Sequence, residues 1–337
     1  MPHASIVICV YNRGKQVGEC LDSILGLSCR DFQLVVVDDH STDDTPERLN
    51  DFCKAHPTIP ITVVRSERNL GVSGARNVGI DVATGDCIVF TDSDCTVEPN
   101  WLTEMLATLE QPGVAAVAGV VVDHPPRNLA ELAYGGTSRI GKRAQGRPLV
   151  GNNMGFRTEI LRRYRFDSAL SYYCDDDDLA WRLTMDGHKI AFVPTGIVHH
   201  NHALTLTKLL SMAFRQGQGA ARYWYKSGSF LGKDIVLLFM TLLTLPLALI
   251  GSFWWLIPLF LALSHGAALI FNQFWFKGKP LHLSLACLPV DFLCYFFKFG
   301  GVVLTYGRII ARRETAIRES KRQWWAQPHP PSEGAGS

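Results

Sequence analysis

Over the first 120 or so residues, short unbroken apolar runs alternate with stretches of helical spacing, and this alternation restricts the fold more than any other feature of the sequence. "SIVICV", "FQLVVVDD", "ITVVRS", "CIVFTD" and "VAAVAGVVV" read as strands buried on both faces, because they are rich in β-branched residues and show no polar alternation. Between them, Val17 to Leu27, Thr45 to Ala55 and Ser73 to Ala83 carry the spacing of amphipathic helices. "STDDTPERL" supplies Ser, Thr and Asp as caps and Pro46 near the first turn, a helix-start pattern. Strand and helix in alternation predict an α/β domain with a largely parallel sheet and helices on both faces. In such sheets ligands bind beyond the carboxyl ends of the strands. Here those ends are the polar "YNR", "DDHS" and "TDSD", so one rim gathers the chemistry.

Further along lie the Gly-, Arg- and Pro-rich residues 125–150, expected as a mobile loop over that rim. After them come "LVGNNMGF", a helix from about Thr158, the acidic "CDDDDLAWRL", strands "KIAFV" and "GIVHH", and a basic helical stretch to about Ser229. From Ile235 to Phe271 there is no charged residue. Divided near Gly251, this run makes two segments close to the length of about 20 residues that a membrane-spanning helix needs. A third apolar stretch, Leu281 to Tyr306, contains Pro289, Asp291 and Lys298. Lys277, Lys279 and the tail "RIIARRETAIRESKRQ" are basic and belong on the cytoplasmic side. That favours an even number of crossings, hence a hairpin followed by a re-entrant or interfacial third segment; three true spans would strand a basic tail on the wrong side.

Thirty-three Lys and Arg against 31 Asp and Glu leave a formal charge of +2, too balanced to suggest a nucleic-acid partner. The nine cysteines form no CxxC pair and several sit in apolar runs, which reads as reduced structural thiols in a cytosolic environment. "ASIVICV" is too short for a signal h-region and has no basic leader, so no cleaved leader is expected. Between Lys208 and Lys233, five basic residues and no acid are interleaved with aromatic and aliphatic ones, as in an amphipathic element on an anionic leaflet.

Asp92 and Asp94 stand two apart, so on an extended chain both carboxylates would project to one side. Hard oxygen ligands presented in this way suit Mg²⁺ or Mn²⁺ shared with substrate phosphates. The alternative is a solvated turn that caps the helix beginning near Glu98. Asp38 and Asp39 end the second strand, where a carboxylate can accept from a ribose hydroxyl or a base N–H. Tyr11, after the first strand, can stack on a base. "ERNLGVSGARNVG" does not fit the dinucleotide fingerprint and follows the third strand; close helix-to-sheet packing with Arg76 facing phosphate is expected instead. In "CDDDDLAWRL", Asp178 can pair with Arg182 at i, i+4 while Leu179 and Leu183 face inward. Asp176 then points elsewhere, free to take a proton, and crowding by like charges is a means of tuning a general base. Among His199, His200 and His202, an imidazole can ligate Mn²⁺ and leave positions for substrate.

Together, "SIVICVYNR", "VVVDDHSTDDT", "NLGVSGARNVGIDVATGDCIVFTDSD", "GNNMGFRTEIL" and "CDDDDLAWRL" resemble the family 2 glycosyltransferases with their GT-A fold, a Rossmann-like, mostly parallel sheet. The resemblance runs from about Ala4 to His202. It implies inverting transfer from a nucleotide-diphosphate sugar. By position, Tyr11 and Asp39 correspond to base and ribose contacts, Asp92 and Asp94 to the D-x-D that binds Mn²⁺ or Mg²⁺ under the diphosphate, and Asp176 to the general base. His200, or its neighbour His199, corresponds to the metal-associated histidine. Asn152 and Asn153 fall where the acceptor or donor sugar is held. Asp175, assigned with them to the acceptor or sugar, stands where Glu is usual, which leaves a one-residue ambiguity in the base. Gln218, Arg222 and Trp224 have the wrong spacing for the Q-x-x-R-W motif of processive synthases, so a non-processive enzyme is expected.

The whole reads as a GT-A domain over residues 1–202, a basic interface segment over 203–232, a membrane region over 233–307 with C-terminal transmembrane helices, and a basic cytoplasmic tail over 308–337. The expected partners are a nucleotide-sugar donor, a lipid or lipid-linked acceptor and the inner, cytoplasmic membrane, with the catalytic domain on the cytoplasmic side. The competing expectation is a catalytically silent sugar-nucleotide-binding scaffold.

Overall fold

The computed structural model describes residues 3–135, 149–171, 173–229, 240–246, 256–327 and 329. Half of the loop expected over the rim (136–148), most of the first expected membrane helix and most of the polar C-terminal end lie outside the described residues. In chain order the elements are β1 (Ala4–Val10), α1 (Gly14–Leu25), β2 (Phe32–Asp38), α2 (Thr45–Ala55), β3 (Ile61–Arg65), α3 (Gly71–Val82), β4 (Cys87–Asp92), β5 (Cys95–Val97), α4 (Trp101–Leu109), β6 (Val114–Asp123) and α5 (Leu129–Tyr134). They continue with β7 (Asn153–Arg157), α6 (Thr158–Tyr164), α7 (Asp175–Met185), β8 (Lys189–His200), α8 (Leu206–Ser227), α9 (Leu256–Phe271), α10 (Leu281–Ile310) and α11 (Thr315–Trp325). They form two compact units, one of Met1–His124, Arg139–His202 and Trp325–Ser337, the other of Pro125–Ser138 and Ala203–Trp324.

The first unit is built on an eight-stranded sheet in the order β3-β2-β1-β4-β7-β6-β8-β5. β3, β2, β1 and β4 run parallel, as strands joined by crossover helices must. β7 then enters antiparallel between β4 and β6, and β5 lies antiparallel on β8, so the second half of the sheet is mixed. Side chains along β1 alternate between two cores. Ile6 and Ile8 pack with Val17, Leu21 and Trp101 on one face, and Val7 packs with Ala75, Ile80 and Leu179 on the other. Helices therefore cover both faces. The glycine of α3 expected to permit close packing does so: a Cβ on Gly79 would stand 2.4 Å from Val7 Cγ1.

Three elements differ from expectation. β3 is an edge strand with Val63 40% exposed, because nothing pairs on its outer side. "KIAFV" and "GIVHH" form one strand, β8, whose register against β6 shifts between Gly119 and Val120. That irregularity absorbs Pro194, which cannot donate to the ladder. β5 carries no signal in the sequence, since three residues are too few to show a period.

In the second unit, Leu256–Trp275 and Leu281–Ile310 are long and apolar enough to cross a membrane by length and composition. The third apolar stretch, expected to be re-entrant or interfacial, lies within the second of these helices. That helix is continuous over 30 residues and carries Pro289 inside it. α8 packs on α10 with almost no side chain between the backbones: a Cβ on Gly217 would lie 2.0 Å from Lys298 O, and one on Gly301 2.1 Å from Phe214 O. Leu209, Ala213, Ala220 and Ala221 of α8 are buried, so this face of the expected interfacial helix is covered by protein. Gln273 donates to Asp291 at 2.7 and 2.8 Å and to Ala133 O at 3.0 Å, while Lys277 and Lys279 donate to the carbonyls of Ala133 and Leu132. These bonds pair the buried charges and tie α5 to α10, as buried ionic groups require.

Candidate active site

The site residues lie in the first unit, around the ends of β1, β2, β4 and β8, the start of β7 and the first turn of α7. β1 stops at Val10, and Asn12 follows with φ 51°, a left-handed turn that suits Asn. Tyr11 emerges there 47% exposed, as a side chain available for stacking must be. Asp39, just past β2, is buried, and its Oδ1 and Oδ2 accept the backbone N–H groups of Leu70 and Gly71 at 2.8 and 2.9 Å. Burial raises its pKa, against the two amides. Gly71 opens α3 at φ 71°, a conformation that favours glycine, and so brings its N–H to that carboxylate. Asp38 instead accepts from Ser41 N at 2.9 Å and pairs with Arg65 at 3.3 Å.

Asp92 and Asp94 do not share one extended strand. Asp92 is the last residue of β4, Ser93 and Asp94 turn, and β5 begins at Cys95. The turn sends the two carboxylates to different partners. Asp92 Oδ1 lies 3.5 Å from Arg76 Nη2. Asp94 is deeper and sits between Arg13 Nη2 and His200 Nε2, each at 3.3 Å. Burial alone would raise the Asp94 pKa, but His200 and Arg13 outweigh it and the pKa is lowered. For Asp92 burial prevails over Arg76 and the pKa is raised. His200 loses to burial but gains more from Asp94, so its pKa is raised.

The pleat of β8 turns His199 and His200 toward different partners. His200 faces Asp94; its Nδ1 lies 3.3 Å from the Asn152 amide, and its ring centroid is 3.8 Å from that of His202. His199 points the other way, with Nε2 3.2 Å from Glu98 Oε1. His202 Nε2 is held by Asp123 at 2.7 Å. An oxygen and an imidazole nitrogen 3.3 Å apart are a donor set that fits Mn²⁺, which accepts mixed O and N ligands. Mg²⁺ prefers oxygen alone.

The carboxylates of the acidic run do not share one environment. Asp175, following Cys174 at φ 66°, is buried against Arg76 at 2.6 Å. Its pKa is pushed up to about 6, by burial first and by Asp176, with Arg76 opposing. Asp176 is half-buried and accepts from Gly151 N at 3.0 Å with Oδ2 and from Asp177 N at 2.9 Å with Oδ1. Asp177 is half-buried in the same first turn. Asp178 pairs with Arg182 at 2.8 Å, the expected i, i+4 contact, while Leu179 and Leu183 enter the core.

Burial sets two of the expected side chains apart from the open rim. Arg76 does not stand open to a phosphate. Its guanidinium is buried between Asp175, Asp92 and Gly151 O (2.8 Å) and lies over the Phe166 ring. Burial works against its charge, but Asp175 and Asp92 more than offset that and raise its pKa. Asn153 is fully buried: its Oδ1 accepts from Trp101 Nε1, and its amide donates to Val120 O and Gly196 O, all at 2.8 Å. Asn152, one residue earlier, reaches the site beside His200. Sequence reasoning missed Arg13, Asp123 and Cys95 as neighbours of this cluster; only the "R" of the polar "YNR" rim was a signal for one of them.

Residues 5–170 match the pattern of Glycosyl transferase family 2. Among curated relatives, the glycosyltransferase AglE of Haloferax volcanii is 26% identical over 235 residues, 66% of this chain and 75% of that protein. The succinoglycan biosynthesis protein ExoO of Rhizobium meliloti is 28% identical over 228 residues, 63% of this chain and 64% of that protein. Among solved structures, the mannosyltransferase PcManGT of Pyrobaculum calidifontis, in complex with GDP-Man and Mn²⁺, superposes with a TM-score of 0.60 at 21% identity, covering 90% of this chain and 87% of that one. GalNAc-T7 with UDP, GalNAc and Mn²⁺ gives a TM-score of 0.50 at 18% identity over 60% of this chain and 44% of that one. Fold and matches define a glycosyltransferase of the GT-A type. Within that class, residues 5–170 form a glycosyl transferase family 2 domain.

Proposed function

We propose that this protein transfers a sugar, with inversion, from a nucleotide-diphosphate sugar to the hydroxyl of a lipid or lipid-linked acceptor at the cytoplasmic face of a membrane, using Mn²⁺ or Mg²⁺. The observation that carries the reading is the Asp94–His200 donor pair, 3.3 Å apart, in the same unit as the half-buried carboxylate of Asp176. A bound divalent ion would neutralise the charge developing on the departing diphosphate. Asp94 and His200 would hold it, with Asp92 beside them.

In this reading Tyr11 stacks on the base. Asp39, oriented by two amides that leave lone pairs on each oxygen, accepts from the nucleoside. Asp176 takes the proton of the acceptor hydroxyl. It suits that role better than Asp175, whose carboxylate is already committed to Arg76. Arg76 acts as a positioning residue that braces Asp92 and Asp175. Asn152 lies close enough to this cluster to meet a sugar hydroxyl. The membrane assignment is supported by the two long apolar helices and by the basic residues that flank them.

The test is donor hydrolysis and transfer with UDP-, GDP- and dTDP-sugars, each with Mn²⁺ or Mg²⁺. Metal-dependent turnover of one donor, with transfer to lipid-linked acceptors preferred over soluble ones, is expected. Binding of a donor without turnover in any combination would leave the silent scaffold instead.

A further inference from the structure

Beside the proposed cation ligands stands a donor that the transfer reaction does not use. Cys95 opens β5, directly after Asp94, and is buried. Its Sγ lies 4.0 Å from Asp94 Oδ1, which is itself 3.3 Å from His200 Nε2. The ligand atoms of Asp94, Cys95 and His200 all fall within 4.8 Å of one another. The Asn152 amide lies 3.6 Å from the sulfur and 3.3 Å from the other ring nitrogen of His200, Nδ1.

These separations can be compared with what a tetrahedral ion demands. With Zn–S near 2.3 Å and Zn–N and Zn–O near 2.0–2.1 Å, tetrahedral angles put N and O roughly 3.3 Å apart and S roughly 3.5 Å from either. The Asp94–His200 edge already has that length, and the Asp94–Cys95 edge exceeds it by about 0.5 Å, within reach of a small side-chain rotation. Thiolate favours zinc strongly and Mn²⁺ hardly at all, and Zn²⁺ outranks Mn²⁺ even for oxygen and nitrogen ligands.

We propose that Asp94, Cys95 and His200 form a zinc-selective site that overlaps the position of the catalytic cation, so that Zn²⁺ displaces Mn²⁺ and blocks the diphosphate. The inference rests on the reading of Asp94 and His200 as cation ligands. As the Zn–S bond forms, the thiol proton leaves to solvent and no electron is transferred. A four-coordinate ion with three protein ligands keeps one open position. A six-coordinate ion held by two keeps four, enough for a diphosphate and water. Zinc in this site is therefore inhibitory.

The test uses the full-length chain in detergent and metals alone. Mn²⁺ binding is followed by electron paramagnetic resonance, with ZnCl₂ as competitor, and CoCl₂ serves as a coloured substitute for zinc. The wild type is expected to show a thiolate-to-cobalt charge-transfer band that is missing in Cys95→Ser. Zinc affinity, read from displacement of Mn²⁺, should fall in that variant by at least about 10- to 100-fold, the scale of even an outer-shell loss. Mn²⁺ affinity should change by less than about threefold, since sulfur is a poor ligand for it. Cys95→Ala, checked for folding by circular dichroism, serves if the serine variant does not fold. Equal displacement of Mn²⁺ by zinc in wild type and variant, or bound cobalt without a thiolate band unique to the wild type, overturns the zinc site. Failure of the wild type to bind Mn²⁺ at all overturns the assignment of Asp94 and His200 instead.

Discussion

Asp94 Oδ1 and His200 Nε2 lie 3.3 Å apart, the first in the turn after β4 and the second at the end of β8. The antiparallel pairing of β5 with β8 sets Cys95 opposite His200 and so draws these two distant segments together. If the pair holds the cation, His200→Ala should weaken Mn²⁺ binding by at least about 10- to 100-fold. His199→Ala, whose ring faces Glu98, should leave it unchanged. Titration of Mn²⁺ by electron paramagnetic resonance decides between them, and equal losses in both variants would refute the pairing.

Asp176→Asn keeps the shape of the side chain and its bond from Gly151 N but can no longer take a proton. Transfer should drop by roughly 10²- to 10⁴-fold, the range of a positioned general base. Donor affinity, measured by calorimetry, should stay within about twofold, because the carboxylate acts on the acceptor. Unchanged turnover would remove Asp176 from the mechanism.

Arg76→Met deletes the cation between Asp92 and Asp175. Removing one partner of a buried ion pair leaves the other charge uncompensated, at a cost of about 3–5 kcal/mol. A lowered unfolding midpoint in detergent is expected, with Arg76→Lys falling between the variant and the wild type because an ammonium cannot reproduce the forked contacts. A midpoint equal to wild type in Arg76→Met would show that the bracing is not structural.

The Asp175 carboxyl, raised to about 6 from its ordinary 3.8 chiefly by burial, couples folding to pH. Between these values the folded chain keeps a proton that the unfolded chain has released. Stability from this group is therefore highest below pH 4 and declines as pH rises through 6, by on the order of 3 kcal/mol. Other carboxylates are common to wild type and variant. The difference in unfolding free energy, wild type minus Asp175→Asn, should thus fall across that window. A difference that is flat with pH would contradict the raised value.

Asn153→Ala strips hydrogen bonds from Trp101 Nε1, Val120 O and Gly196 O, all in the core. A loss of about 2–3 kcal/mol is expected from buried groups left unpaired. Donor affinity should be retained, which distinguishes it from Asn152. A stable Asn153→Ala variant that no longer binds donor would place Asn153 in the site.

Much of the first unit was legible in the sequence because its signals are local. β-branched runs bounded by polar ends mark β1, β2 and β4, and Pro46 with its preceding acids marks the start of α2. The same alternation placed Tyr11, Asp39 and Asp92 at strand ends. Period was enough for these positions because a buried parallel strand has only one way to end at its ligand-facing rim. It failed for β3, where edge or centre depends on which neighbour pairs, and for β5, too short to show a pattern.

What the sequence by itself determined, then, is the class of fold and the inventory of carboxylates and imidazoles at one rim, since hydrophobic periodicity and residue chemistry are carried by the chain locally. Which of them meet was decided only by tertiary structure. Pairing β5 with β8 set His200, not His199, beside Asp94. The packing of α3 against the start of α7 took Arg76 away from solvent and gave it to Asp175. Insertion of β7 between β4 and β6 buried Asn153 while leaving Asn152 beside His200. Each of these depends on contacts between residues far apart in sequence, and no local pattern encodes a distance across a sheet.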